Sequence, residues 1–134
     1  MDAGILSAEI TWLAWSVILL LAHIFAQAMS LSNDNGVSYN AGARDKPVRT
    51  SAMTERLTRA LRNFLETYAA FVALALALQV TGKSGGLGAT GAAIWFCARV
   101  AYLPAYAFGV PYLRSVIWSV SLFGLLLMLY RLLE

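Results

Sequence analysis

Arg59, Arg62, Asn63 and Glu66 stand at i, i+3, i+4 and i+7. A helix turning about 100° per residue gathers all four on one narrow face. Two cations, an amide and a carboxylate on one face suit a zwitterionic ligand. Each guanidinium can grip a carboxylate through two parallel hydrogen bonds. Glu66 can receive an ammonium group, and Asn63 can both donate and accept. Arg99, Tyr102 and Tyr106 repeat the pattern at i, i+3 and i+7, and Arg114 follows after a short Gly-Val-Pro turn.

The elements that carry these residues are apolar. Of the 134 residues, 60% are hydrophobic and only 13% are charged, where a soluble domain has about 25% charged residues. A chain this short cannot bury so much apolar surface in one aqueous core, so lipid must cover the excess. A span needs about 20 apolar residues. Four fit, at about 10–29, 56–80, 87–108 and 112–132, with a polar loop at 30–55 and no room for a separate soluble domain. The expected fold is an all-α integral membrane protein, a four-transmembrane-helix up-down bundle forming a single domain. The uninterrupted apolar part of span two, 69–78, is short. To cross about 30 Å at 1.5 Å per residue, this helix must bring its polar first turns close to or into the bilayer.

Arg44, Lys46, Arg49, Arg56, Arg59 and Arg62 crowd the first loop and its edge, and Arg114 belongs on the same side. The bias of basic residues toward the cytoplasm then places that loop inside and both termini outside. The minimal loops fit a prokaryotic inner membrane. The net charge of +3 is explained by orientation rather than by nucleic acid. One cysteine and one histidine rule out an internal disulfide and leave no basis for a metal site.

Other features are read as packing. Gly86-Leu87-Gly88-Ala89-Thr90-Gly91 matches G-x-G-x-x-G, but the dinucleotide motif needs a preceding strand. Here small residues suit a tight turn and close helix contact. Cys97 reads as a small packing residue, and His23 as the donor or acceptor of a hydrogen bond within the bundle. Trp12, Trp15 and Tyr130 suit an interfacial aromatic belt. For the polar face itself, two readings stay open. Ionisable groups as deep as Glu66 and Arg99 point by default to function. Alternatively, Glu66 pairs with a neighbouring arginine as interhelical glue while Arg59 and Arg62 snorkel to headgroups.

The run Arg59-Ala-Leu-Arg62-Asn63-Phe-Leu-Glu66-Thr67 resembles the second-helix motif of the MAPEG superfamily, the membrane-associated proteins of eicosanoid and glutathione metabolism. Ala98-Arg99-Val-Ala-Tyr102-Leu-Pro-Ala-Tyr106 resembles its third-helix motif, and Pro111-Tyr-Leu-Arg114-Ser115 the start of its fourth helix. The resemblance spans essentially the whole chain. It implies a homotrimer with glutathione as co-substrate, held between subunits near the cytoplasmic side. Arg59, Arg62, Asn63 and Glu66 would bind the tripeptide, with Arg99, Tyr102 and Tyr106 contributing from span three. Arg114 matches an arginine proposed to stabilise the glutathione thiolate, and Ser115 a candidate thiol-bonding group. At the end of helix one, where some members carry an arginine, this chain reads Gln27-Ala-Met-Ser30.

The function so implied is a membrane-bound glutathione transferase or peroxidase acting on lipophilic electrophiles or lipid hydroperoxides. A non-enzymatic trimer with structural buried charges is the alternative. A small multidrug exporter ranks third, because span one has no acid and Glu66 is crowded by arginines that would repel a lipophilic cation.

Overall fold

Ser7 opens the first helix. Its hydroxyl accepts from the Ile10 N–H at 3.3 Å, serving one of the backbone donors left free at a helix start. Helix α1 then runs over Ala8–Asn35, beyond the expected 10–29 at both ends. The computed structural model describes residues 5–45 and 50–134; Lys46 and Arg49 of the expected cationic cluster lie outside them.

The stretch 30–55, expected as a loop, is largely helical at both ends. Ser, Asn and Asp are weak helix formers, yet 30–35 continues α1 because its side chains bond to the next helix. Ser30 and Thr54 share a hydroxyl hydrogen bond. Asp34 accepts from the Ser51 N–H at 2.9 Å, the Ser51 hydroxyl at 3.1 Å and the Thr54 hydroxyl. Ser51 in turn caps α3, Ala52–Val80, by accepting from the Thr54 N–H. Gly36 ends α1 at φ 87°, a conformation that a Cβ would penalise. A short helix α2, Val37–Ala41, follows. The Asn40 amide ties it back to the Ala28 carbonyl and the Ser32 hydroxyl, both at 2.9 Å.

Helices α4, Gly86–Ala107, and α5, Leu113–Leu133, complete the chain. Helices α1, α3, α4 and α5 are each long and apolar enough to cross a membrane, and they alternate in direction. The α3–α4 turn meets the start of α1 and the end of α5. There the fully buried Glu9 accepts from the Gly85 N–H at 2.8 Å and so caps α4 from another helix. Arg131 Nε donates to the Lys83 carbonyl at 3.1 Å, and Lys83 Nζ to the Leu132 carbonyl at 2.8 Å.

The core centres on Trp95. Its ring stacks on Phe71 at 3.9 Å and lies 5.6 Å from Phe64, and Ala75, Leu78 and Met128 are buried around it. Helices α4 and α5 meet backbone to backbone: a Cβ on Gly124 would stand 2.6 Å from the Gly91 carbonyl and 2.8 Å from the Trp95 nitrogen. Gly88 likewise leaves room for Glu9 and Leu78. Gly88 and Gly91 of the literal nucleotide motif therefore serve helix packing, as expected of small residues in a membrane bundle, while Gly86 takes the turn at φ 58°.

Three side chains differ from expectation. Cys97 is exposed on the outside of the bundle, because its position on α4 faces away from the buried Trp95–Arg99 stripe. His23 is buried, but neither ring nitrogen bonds to a described residue; the ring instead lies 4.9 Å from Phe64. Trp15 and Tyr130 are exposed as a belt requires, whereas Trp12 packs inward on Phe96 at 5.2 Å.

Candidate functional site

Helix α3 is 29 residues long, about 43 Å at 1.5 Å per residue. Counting about 20 residues of hydrocarbon back from Val80 reaches the region of Leu61. Arg59 then lies among headgroups, Arg62 at the boundary and Glu66 within the hydrocarbon. All three side chains are exposed on the outer surface of the bundle. None forms an ion pair with a described residue. Among the described residues, Glu66 pairs neither with Arg99 nor with a neighbouring arginine of its own subunit. Thr58, Leu61, Arg62, Leu65 and Glu66 line an open groove of about 460 Å³, a volume within the range of small-molecule sites.

Behind this face lies a second set. Arg99 and Tyr102 are buried in the interior of the subunit. Arg99 Nη1 donates to Asn63 Oδ1 at 2.8 Å. Its guanidinium carbon lies 4.3 Å from the Tyr102 ring centre and 5.5 Å from that of Phe64. Aromatic faces are negative, so they stabilise a desolvated guanidinium. The Tyr102 and Tyr106 rings stand 5.6 Å apart, and Arg114 lies 5.0 Å over Tyr106. Arg114 and Ser115 are exposed at the start of α5.

The six residues of α3 and α4 other than Arg59 thus fall into two groups. Asn63, Arg99, Tyr102 and Tyr106 are joined in a chain that ends at Arg114. Arg62 and Glu66, with Arg59, point outward, and no hydrogen bond or ion pair links them to Arg114 or Ser115 within the subunit. Asn63, expected to donate and accept freely, already spends its carbonyl on Arg99.

Sequence reasoning gave Arg56 no role beyond its charge. Its Nη1 donates to the Ala107 carbonyl at 3.3 Å, and its guanidinium lies against Gly109. Arg56 therefore fixes the turn that delivers Arg114. The available signal was its position one turn before Arg59, on the side of α3 that meets α4.

A sequence profile described as the MAPEG family matches residues 10–133, nearly the whole chain. The chain belongs to the MAPEG family. No curated protein and no solved structure matches it. MAPEG membership and the four apolar helices make it an integral membrane protein. As a MAPEG protein, it carries the polar residues of α3 and α4 at the same end of the bundle, with α5 beginning beside them.

Proposed function

We propose that this MAPEG chain is a membrane glutathione-dependent transferase or peroxidase that uses lipophilic electrophiles or lipid hydroperoxides as second substrates. The observation that carries the reading is the outward, unpaired Arg59–Arg62–Glu66 face on a membrane-crossing helix. A charge at the centre of a span costs about 2.5–3.5 kcal/mol even on insertion scales, and Glu66, little more than a turn inside the boundary, bears part of that cost. A protein that leaves Glu66 and Arg62 bare toward lipid has a use for them. A neighbouring subunit and a bound polar ligand would cover both, which supports assembly of the chain as a homotrimer with one cleft per interface.

In that cleft Arg59 and Arg62 bind carboxylates of glutathione, Glu66 its ammonium group and Asn63 a carbonyl or carboxylate. Arg114 faces the sulfur, with Ser115 beside it. The reactive species is the thiolate, and a cation next to the sulfur lowers the thiol pKa. The thiolate attacks the electrophile and displaces its leaving group, or attacks a hydroperoxide oxygen, breaking the O–O bond to give glutathione sulfenic acid and an alkoxide that takes a proton and leaves as the alcohol; a second glutathione then reduces the sulfenic acid to the disulfide and water. No protein nucleophile is required. The membrane supplies the second substrate by partition. The density of basic residues around the start of α3 favours a cytoplasmic location for this end, with both termini outside.

Glutathione binding to the full chain in mild detergent is the test. Wild type binds, and Arg62→Ala binds about tenfold more weakly, the effect of losing one charge-assisted hydrogen bond. If wild type does not bind glutathione, the enzyme reading is wrong and the non-enzymatic trimer takes its place.

A further inference from the structure

Arg99 was expected to touch ligand, yet it is 0% exposed. Its Nε and Nη2 are buried and bond to no described residue. A ligand held on the outer face of α3 cannot reach them. What Arg99 does touch are parts of both halves of the proposed site. At one edge it donates to Asn63 Oδ1. Across its face it lies on Tyr102, and the Tyr102–Tyr106 pair leads to Arg114.

The chemistry of the first contact has a direction. A guanidinium has only donors. Asn63 must therefore turn its carbonyl toward Arg99, which turns its NH2 away. Asn63 neighbours Arg62 and Glu66 on α3 and is half-buried, and its NH2, which bonds to no described residue, keeps some exposure. Without Arg99, the amide could flip and offer an acceptor in place of a donor. The second contact acts on placement. Tyr106 packs on the Tyr102 ring and has the Arg114 guanidinium over its own, and Arg99 anchors Tyr102 by cation–π attraction.

We infer that Arg99 is a positioning residue: through Asn63 it fixes a hydrogen-bond donor on the ligand-binding face, and through Tyr102 and Tyr106 it holds Arg114 in place. This inference rests on the glutathione reading above. One buried cation then sets both the grip on the tripeptide and the position of the group beside the sulfur. The binding and thiol ends are coupled inside one subunit.

The experiment measures KM for glutathione and kcat with a chloronitrobenzene, using the full chain in detergent. Arg99→Met, which keeps length and loses every donor, raises KM about tenfold, the size of one lost hydrogen bond to the ligand, and lowers kcat as well. Asn63→Asp keeps an acceptor for Arg99 and deletes the NH2, so it raises KM and lowers kcat far less. Arg99→Lys restores a donor to Asn63 and recovers much of the KM effect. In double mutants, Arg99→Met is non-additive with Asn63→Ala in glutathione affinity, because both remove the same contact. It is additive with Arg62→Ala. Wild type binding glutathione while Asn63→Asp binds equally well overturns the inference alone, even if Arg99→Met does not assemble. Simple additivity of Arg99→Met with Asn63→Ala overturns it too. Failure of wild type to bind glutathione removes the functional reading as well.

Discussion

The two turns that flank α4 use charge in opposite ways. At the α3–α4 turn, Glu9, Lys83 and Arg131 each bond to a backbone group of another element. Those bonds close the turn and the ends of α1 and α5 into one knot. At the α4–α5 turn, Arg56 plays that part among the described residues. Arg59, Arg62 and Glu66 form no ion pair with a described residue, and Arg114 lies over the face of Tyr106 and close to Tyr102. Charges that staple a fold are consumed by it, whereas charges left unspent on a membrane helix remain for a partner or ligand. The same contrast separates the glycine contact of α4 and α5 from the groove beside Arg62: one is filled by backbone, the other is open.

This contrast is broken most sharply at Arg114. Arg114→Ala should lower turnover about 10²–10³-fold, the range for removing one preorganised charge stabiliser, with a much smaller effect on glutathione affinity and none on assembly. The thiolate absorbance of bound glutathione should appear only at higher pH, because the cation that favours the anion is gone. If wild type shows no thiolate below the pKa of free glutathione, the role given to Arg114 is wrong.

The opposite pattern is expected where the backbones meet. Gly124→Ala would force a Cβ against the Gly91 carbonyl and the Trp95 nitrogen, neither of which is a flexible side chain. Overpacking of this kind costs about 1–3 kcal/mol. Thermal unfolding in detergent should show the loss, and glutathione affinity in the folded fraction should be unchanged. An unchanged melting temperature would mean that the helices separate more easily than their contact suggests.

The smallest effect belongs to Glu9. Glu9→Ala removes the cap on the Gly85 N–H and should cost about 1 kcal/mol, as loss of a helix cap does. Turnover per folded subunit should hold. A fall in turnover without a fall in stability would show that the two turns are not separate in function.

Four membrane helices, their approximate limits and the α3 polar face were legible in the sequence. Lipid imposes a length on any apolar segment, and helical spacing alone puts Arg59, Arg62 and Glu66 on one side. Residues 30–35 were not legible, because what keeps them helical is a set of bonds from Ser30 and Asp34 to α3. His23 was misjudged for a related reason. A polar residue on an apolar span suggests a hydrogen bond, but the packing offers it the ring of Phe64.

The sequence by itself determined that this is a MAPEG membrane protein and which of its residues carry charge into the bilayer. Membership follows from the family match along the chain; the spans and the polar face follow from composition and a fixed helical period, both local to the chain. Only the tertiary structure decided which charges are spent. Arg99 and Glu66 look alike in sequence, as single ionisable groups within apolar helices. Arg99 is folded into the interior against Asn63 and Tyr102, while Glu66 is left on the surface without a partner. The difference arises from how far each helix is rotated about its own axis against its neighbours, a rotation set by the packing of Trp95, Phe64 and the α4–α5 glycines rather than by the residues it positions.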